Sequence, residues 1–184
     1  LMLNICELIL LRQMPSEQAD QLPMPTIDRD ALVLHNIYER FVANFYRIHL
    51  HGWKVARQKQ LNWHDKSQSK FMPSLRPDIV LEENSTRRLI ILDTKFTAQS
   101  LVENQWGDQI FDSSHLYQLY AYLRTQEHLS QLHQLATGIL LYPSIQHKQL
   151  SEKIEFENHT IRVESVDLTS HWQDIEQRLL DVIG

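Results

Sequence analysis

The sequence holds one cysteine, four glycines and six prolines in 184 residues. A single cysteine, Cys6, permits no internal disulfide and cannot build a cysteine-ligated zinc or iron–sulfur centre. Such scarcity suits a reducing, cytoplasmic setting. The glycines, Gly52, Gly107, Gly138 and Gly184, stand far apart. A phosphate-cradling loop needs clustered glycines so that backbone N–H groups can close on the phosphates. The chain itself is therefore expected to bind no nucleotide; if nucleotide hydrolysis drives the system, a partner must supply it. Long apolar runs are scarce too. Residues 1–11 are apolar, but Asn4 and Glu7 interrupt them, no basic start precedes them, and they are too short to span a bilayer. They read as a buried helix, and no membrane association is expected.

What is present suffices for one globular domain over residues 1–184. Hydrophobic residues make up 42% and charged residues 22%, an ordinary globular balance, and the length allows a core that stands alone. A helical segment, residues 1–50, is expected to pack on the rest. The net charge of −5 is unevenly spread: residues 1–50 carry −2, residues 51–96 carry +4 and residues 97–184 carry −7. In the basic window, Lys54, Arg57, Lys59, Lys66, Lys70, Arg76, Arg87 and Arg88 could line a path for phosphates, or could simply form a solvated hairpin face. The ten histidines are scattered. Neither His49 and His51 nor His128 and His133 has metal-ligand spacing with a nearby acid, and only His115, near the helix described below, stands out.

The basic window also contains the most informative segment. Two β-rich apolar runs, residues 77–82 and 88–96, flank the polar stretch Glu83-Asn84-Ser85-Thr86-Arg87, which has turn chemistry. A hairpin folded symmetrically about Ser85 and Thr86 sets Asp78 opposite Asp93. Side chains two apart on a strand share a face, so Lys95 joins them. Carboxylates brought that close repel unless a cation lies between them. Hard oxygen ligands suit Mg²⁺, with Mn²⁺ as a substitute. The backbone carbonyl of Thr94, next to Asp93, could add a further oxygen. A lysine beside the metal can orient a water and balance phosphoryl charge. The same three residues could instead form a structural ion pair.

Two helices extend the pattern. Asp30 is placed to cap a helix over residues 31–50, with Leu34, Ile37, Phe41, Phe45 and Ile48 as its apolar stripe and Glu39 beside it. Downstream, residues 112–128 read as a helix with Gln118 and Tyr122 four apart on one face. Further strands are expected over residues 52–64, 136–142, 153–157 and 160–167, with a turn at Asn158-His159 and a last helix over 169–182. Residues 65–74 and 97–111 are expected to be loops. The order predicts an α/β fold, a mixed central sheet flanked by helices on both sides.

The Pro77-Asp78 … Asp93-Thr94-Lys95 pattern resembles the PD-(D/E)XK nuclease superfamily, and Gln118-x-x-x-Tyr122 resembles the fourth motif of its RecB-like members. Asn62-Trp63-His64, Arg76-Pro77-Asp78-Ile79, Ile91-Leu92-Asp93-Thr94-Lys95-Phe96, Leu116-Tyr117-Gln118-Leu119, Gly138-Ile139-Leu140-Leu141-Tyr142-Pro143 and Trp172-Gln173-Asp174-Ile175 follow in order. As a set, over nearly the whole chain, they resemble the C-terminal nuclease part of the McrC family from McrBC modification-dependent restriction systems. The resemblance implies a restriction-endonuclease-like fold and Mg²⁺-dependent cleavage of DNA carrying modified cytosine. It implies a partner, an McrB-like GTPase ring. It gives catalytic roles to Asp78, Asp93 and Lys95, a supporting role to Gln118, and a place for Glu39 at the metal. McrC proteins usually carry an N-terminal region that enters the partner ring; a chain starting at Leu1 is expected to be a fragment without it. The competing expectation is a catalytically inactive nuclease-fold adaptor that docks a motor partner or DNA.

Overall fold

The computed structural model describes residues 25–63, 69–97, 101–103, 107–144 and 149–184, with the side chains of the first helix from Leu32 onward. The helix expected within residues 1–11, and Cys6 with it, lie outside the described residues. The elements run α1 (Pro25–His49), β1 (Trp53–Arg57), β2 (Ile79–Glu83), β3 (Leu89–Thr94), β4 (Leu101–Glu103), β5 (Gln109–Phe111), α2 (Ser113–Gln126), a 3-10 turn (Glu127–Leu129), α3 (Gln131–Gln134), β6 (Thr137–Ser144), β7 (Ser151–Phe156), β8 (His159–Asp167) and α4 (Trp172–Ile183). Six strands form one sheet in the order β1-β2-β3-β6-β8-β7, and β4 with β5 forms a separate ribbon. β3, β6 and β8 run parallel, while β1, β2 and β7 are antiparallel to their neighbours. This is the expected mixed sheet between helical layers. Among the described residues, no helix is long and apolar enough to cross a membrane.

Strand alternation divides the core into two layers. On one face, Ile79, Leu81, Ile90, Leu92, Ile139 and Leu141 pack with Tyr38, Val42 and Phe45 of α1 and Ile175 and Leu179 of α4. On the other, Val80, Leu89, Ile91 and Leu140 pack with Leu119 and Leu123 of α2. Gly138 brings α2 close: a Cβ there would come within 2.9 Å of both Leu119 Cδ2 and Leu123 Cδ1.

Several boundaries differ from the sequence reading. α1 begins at Pro25, before Asp30, as a proline in the first turn permits. Its stripe runs through Leu34, Tyr38, Phe41, Val42, Phe45 and Tyr46, and Ile48 is 68% exposed. β1 stops at Arg57 because Gln58 turns left-handed at φ 51°. Residues 97–111 are not a plain loop, since β4 and β5 pair within them. The β7–β8 turn centres one residue earlier, with Glu157 at φ 50° and His159 already in β8.

The β2–β3 register is Ile79↔Leu92 through Glu82↔Leu89, the register of a hairpin centred on Ser85 and Thr86. Carried one position outward, it sets Asp78 opposite Asp93. Both lie at the carboxyl end of β3, the end at which ligands collect outside parallel strands.

Candidate metal and catalytic centre

Four elements meet at this end of the sheet. β3 supplies Asp93 and Thr94, and Lys95 follows it; Asp78 directly precedes β2. α1 brings His35 and Glu39, and α2 brings Gln118 and Tyr122. Asp78, Asp93 and Glu39 are all buried, at 6%, 3% and 1% exposure.

Asp78 is held by a short network. Its Oδ2 accepts hydrogen bonds from Thr94 N at 2.8 Å and Thr94 Oγ1 at 2.6 Å, and its Oδ1 accepts one from Gln58 Nε2 at 3.1 Å. The carboxyl nevertheless sits high. Burial, and next the Asp93 charge, push it up to about 7, against the pull of the Thr94 hydrogen bonds. The left-handed Gln58 belongs to this arrangement, for its backbone N–H also donates to Asp78 O at 2.9 Å.

Asp93 faces Lys95. Lys95 Nζ lies 2.8 Å from Asp93 Oδ2 and donates to Gln118 Oε1 at 2.6 Å. Gln118 Nε2 then donates to Tyr122 OH at 2.8 Å, and Tyr122 OH donates to Arg76 O at 3.3 Å. A line of side chains thus fixes the lysine from the helix behind it. Burial, and next the Asp93 charge, push the Tyr122 hydroxyl up to about 12, so it stays a donor.

Glu39 is less settled. Arg57 Nε stands 2.6 Å from its Oε1, yet the contact lacks hydrogen-bond alignment, and Oε1 is a buried oxygen with no hydrogen-bond partner. The Arg57 guanidinium is the cation that balances this buried carboxylate here. His35, one helical turn earlier, is half-buried; burial lowers its basicity more than the Glu39 and Asp93 charges raise it, which favours neutral imidazole, the metal-binding form. Ligand atoms of His35, Glu39 and Asp78 all lie within 4.8 Å of one another.

The expected residues therefore meet, in an arrangement of their own. Asp78 groups with Glu39, while Asp93 takes the lysine. Thr94 reaches the site through its N–H and hydroxyl. His35 is the residue that sequence reasoning missed. The signal was present, since His35 and Glu39 are four apart on one helix, but histidine spacing was weighed against other histidines. His115 is engaged elsewhere, its Nδ1 lying 2.8 Å from Tyr142 OH. The basic window also divides. Arg57 stands at the site, opposite Ile79, whereas Lys54, opposite Glu82, and Arg87 and Arg88 in the turn lie at the far end of the hairpin. There Lys54 is 4.0 Å from Glu82, and Arg88 donates to Ile183 O at 2.7 Å.

Known proteins carry related sequences. The family model described as McrBC 5-methylcytosine restriction system component matches residues 1–143. A relative from Escherichia coli (strain K12), described as Type IV methyl-directed restriction enzyme EcoKMcrBC, is 24% identical over 184 residues, which cover 98% of this chain and 51% of that protein. The chain thus spans about half the length of this curated relative. With most of its length matched by the family model, the chain belongs to the family of McrBC 5-methylcytosine restriction system components.

Proposed function

We propose that this chain is a metal-dependent DNA endonuclease domain, the nuclease of a modification-dependent restriction system. The observation that carries the reading is the close approach of buried Glu39 and Asp78, with the Asp93–Lys95 pair beside them. The donor set fits a divalent cation. Burial and the Asp93 charge raise the Asp78 carboxyl to about 7, a penalty that a cation would relieve, and an ion bound to Glu39 would take the place of Arg57 against its Oε1. Asp78, Asp93 and Glu39 would hold Mg²⁺ or Mn²⁺, with the Thr94 carbonyl as a further oxygen and His35 as a nitrogen ligand that makes Mn²⁺ an effective substitute. When bound there, such an ion acts as a Lewis acid toward the scissile phosphate.

The chain's own side chains do the rest. Lys95 Nζ donates to the attacking water or to a phosphoryl oxygen, and stabilises the charge that grows as the water adds in line. Gln118 aims the lysine, and Tyr122 aims Gln118. DNA with modified cytosine as substrate, and an McrB-like GTPase ring as the partner that moves it, rest on the family. The test is cleavage of supercoiled plasmid carrying modified cytosines, with Mg²⁺, GTP and the partner ring, using an McrC chain that includes its N-terminal region. Cleavage that needs both Mg²⁺ and Lys95 is expected. No cleavage, together with no stabilisation by Mg²⁺ or Mn²⁺ in thermal melting, would favour the inactive adaptor.

A further inference from the structure

Between β1 and β2 the chain leaves the sheet at its carboxylate end, because Arg57 and Ile79 are the last paired residues there. Its described parts, residues 58–63 and 69–76, hold Lys59, Lys70 and Arg76 and no acid, in a protein of net charge −5. All three cations are exposed. Arg76 is met by the amide of Gln60 at 3.3 Å, and Lys70 Nζ lies 5.0 Å over the Phe71 ring. Among the described residues none of the three is paired with a carboxylate.

The same excursion carries an aromatic ring in an unusual place. Phe71 is 83% exposed and Met72 is 40% exposed. A tight turn presents them, with Met72 N donating to Ser69 O at 3.1 Å and Phe71 N to Ser69 Oγ at 3.3 Å. Below the turn the two arms are clamped. Leu61 N donates to Leu75 O at 2.8 Å between two buried leucines, and Trp63 Nε1 donates to Pro73 O at 2.7 Å. Both arms are also tied to α2, through Tyr122 OH to Arg76 O and Gln126 Nε2 to Asn62 O at 2.8 Å. The base of the projection is thus fixed relative to the helix that aims Lys95.

Cations with an exposed ring between them match a nucleic acid better than a protein surface: phosphates take the charges, and bases take the ring. We propose that Lys70 and Arg76 contact phosphates of duplex DNA while Phe71 lies against a base step, so that the projection grips the duplex on the side from which Arg76 leads into Asp78. The nature of the ligand rests on the nuclease reading above; the grip itself does not depend on which side chains cut.

The experiment measures binding of a fluorescent duplex containing modified cytosine, by anisotropy without divalent metal, so that no cleavage occurs. Phe71→Ala should weaken binding about tenfold, the scale of losing one ring-to-base contact. Lys70→Gln should weaken it and lower the slope of log affinity against log salt by about one. Neither should change the melting temperature, since both side chains are exposed, and Lys153→Gln on β7 should bind as the parent does. Unchanged affinity in both projection variants, or no binding by the parent chain, would overturn the proposal. So would variants that bind DNA normally but lose only their response to the partner ring, because the projection would then dock protein. Cleavage by the Lys95→Ala variant would sink the nuclease reading while leaving the grip intact, so the two failures are distinguishable.

Discussion

Replacing Asp78 by Asn should stabilise the metal-free protein while removing its metal site. The folded carboxyl titrates near 7 and the ordinary value is 3.8, so the folded protein holds a proton that the unfolded chain releases between those values. Stability from this group is therefore greatest below about pH 4 and falls as the pH rises to about 7. Three units at 1.36 kcal/mol each set the loss above pH 7 on the order of 4 kcal/mol. Asparagine keeps an oxygen for Thr94 N and Oγ1, and a flip of the Gln58 amide restores the remaining bond. It is also buried and polar, so only part of the loss is recovered, about 1–3 kcal/mol at pH 8. For a chain of this size that raises the melting temperature by about 2–4 °C per kcal/mol. At pH 5 the folded carboxyl is neutral but the unfolded one has already ionised, so about a third of the loss is present, and the variant's advantage should be smaller than at pH 8 by about 2–3 kcal/mol. Excess Mg²⁺ at a hundred times its dissociation constant would stabilise the parent by about 2.7 kcal/mol and the variant hardly at all. Paired melting curves at pH 5 and pH 8, with and without Mg²⁺, measure all of this. A variant that melts lower than the parent at pH 8 without metal would refute the reasoning, because Asp78 would then be a stabilising ion-pair partner.

The other outcomes concern catalysis, packing and nucleotide. Lys95→Ala should lower plasmid cleavage about a hundredfold or more, and should also lower the metal-free melting temperature because buried Asp93 loses its partner. Gln118→Ala should lower cleavage less, since Gln118 only aims the lysine. Gly138→Ala should destabilise by about 1–3 kcal/mol in denaturant titration, because the new methyl meets two fully buried leucines. The isolated chain should show no saturable GTP binding by calorimetry, as it lacks clustered glycines.

The hairpin was legible because two local signals agreed: the turn residues 83–87 and the apolar alternation on either side both set the same register. The long helix was legible through its stripe, but its C-terminal edge was not. Ile48 follows Phe45 by three residues yet is exposed, because the buried face passes through Tyr46 and half-buried His49, while Leu50 still packs on the core. β4 and β5 escaped because three-residue strands leave no periodic trace. At the site, Asp78, Asp93 and Lys95 came together through local register, whereas the approach of Glu39 and His35 depends on how α1 crosses the sheet end. That crossing is tertiary, as is the burial that drives Asp78 toward neutrality. His35 could have been found from its four-residue spacing to Glu39.

The central claim is that the buried carboxylates hold a divalent cation. The direct measurement is anomalous diffraction at the manganese edge from crystals of this chain grown with Mn²⁺. The account predicts one peak within bonding distance of the Glu39 and Asp78 carboxylates, with Lys95 still held by Gln118. Crystals that contain Mn²⁺ elsewhere but show no peak there, with Arg57 against Glu39 and Lys95 against Asp93 as before, would contradict it.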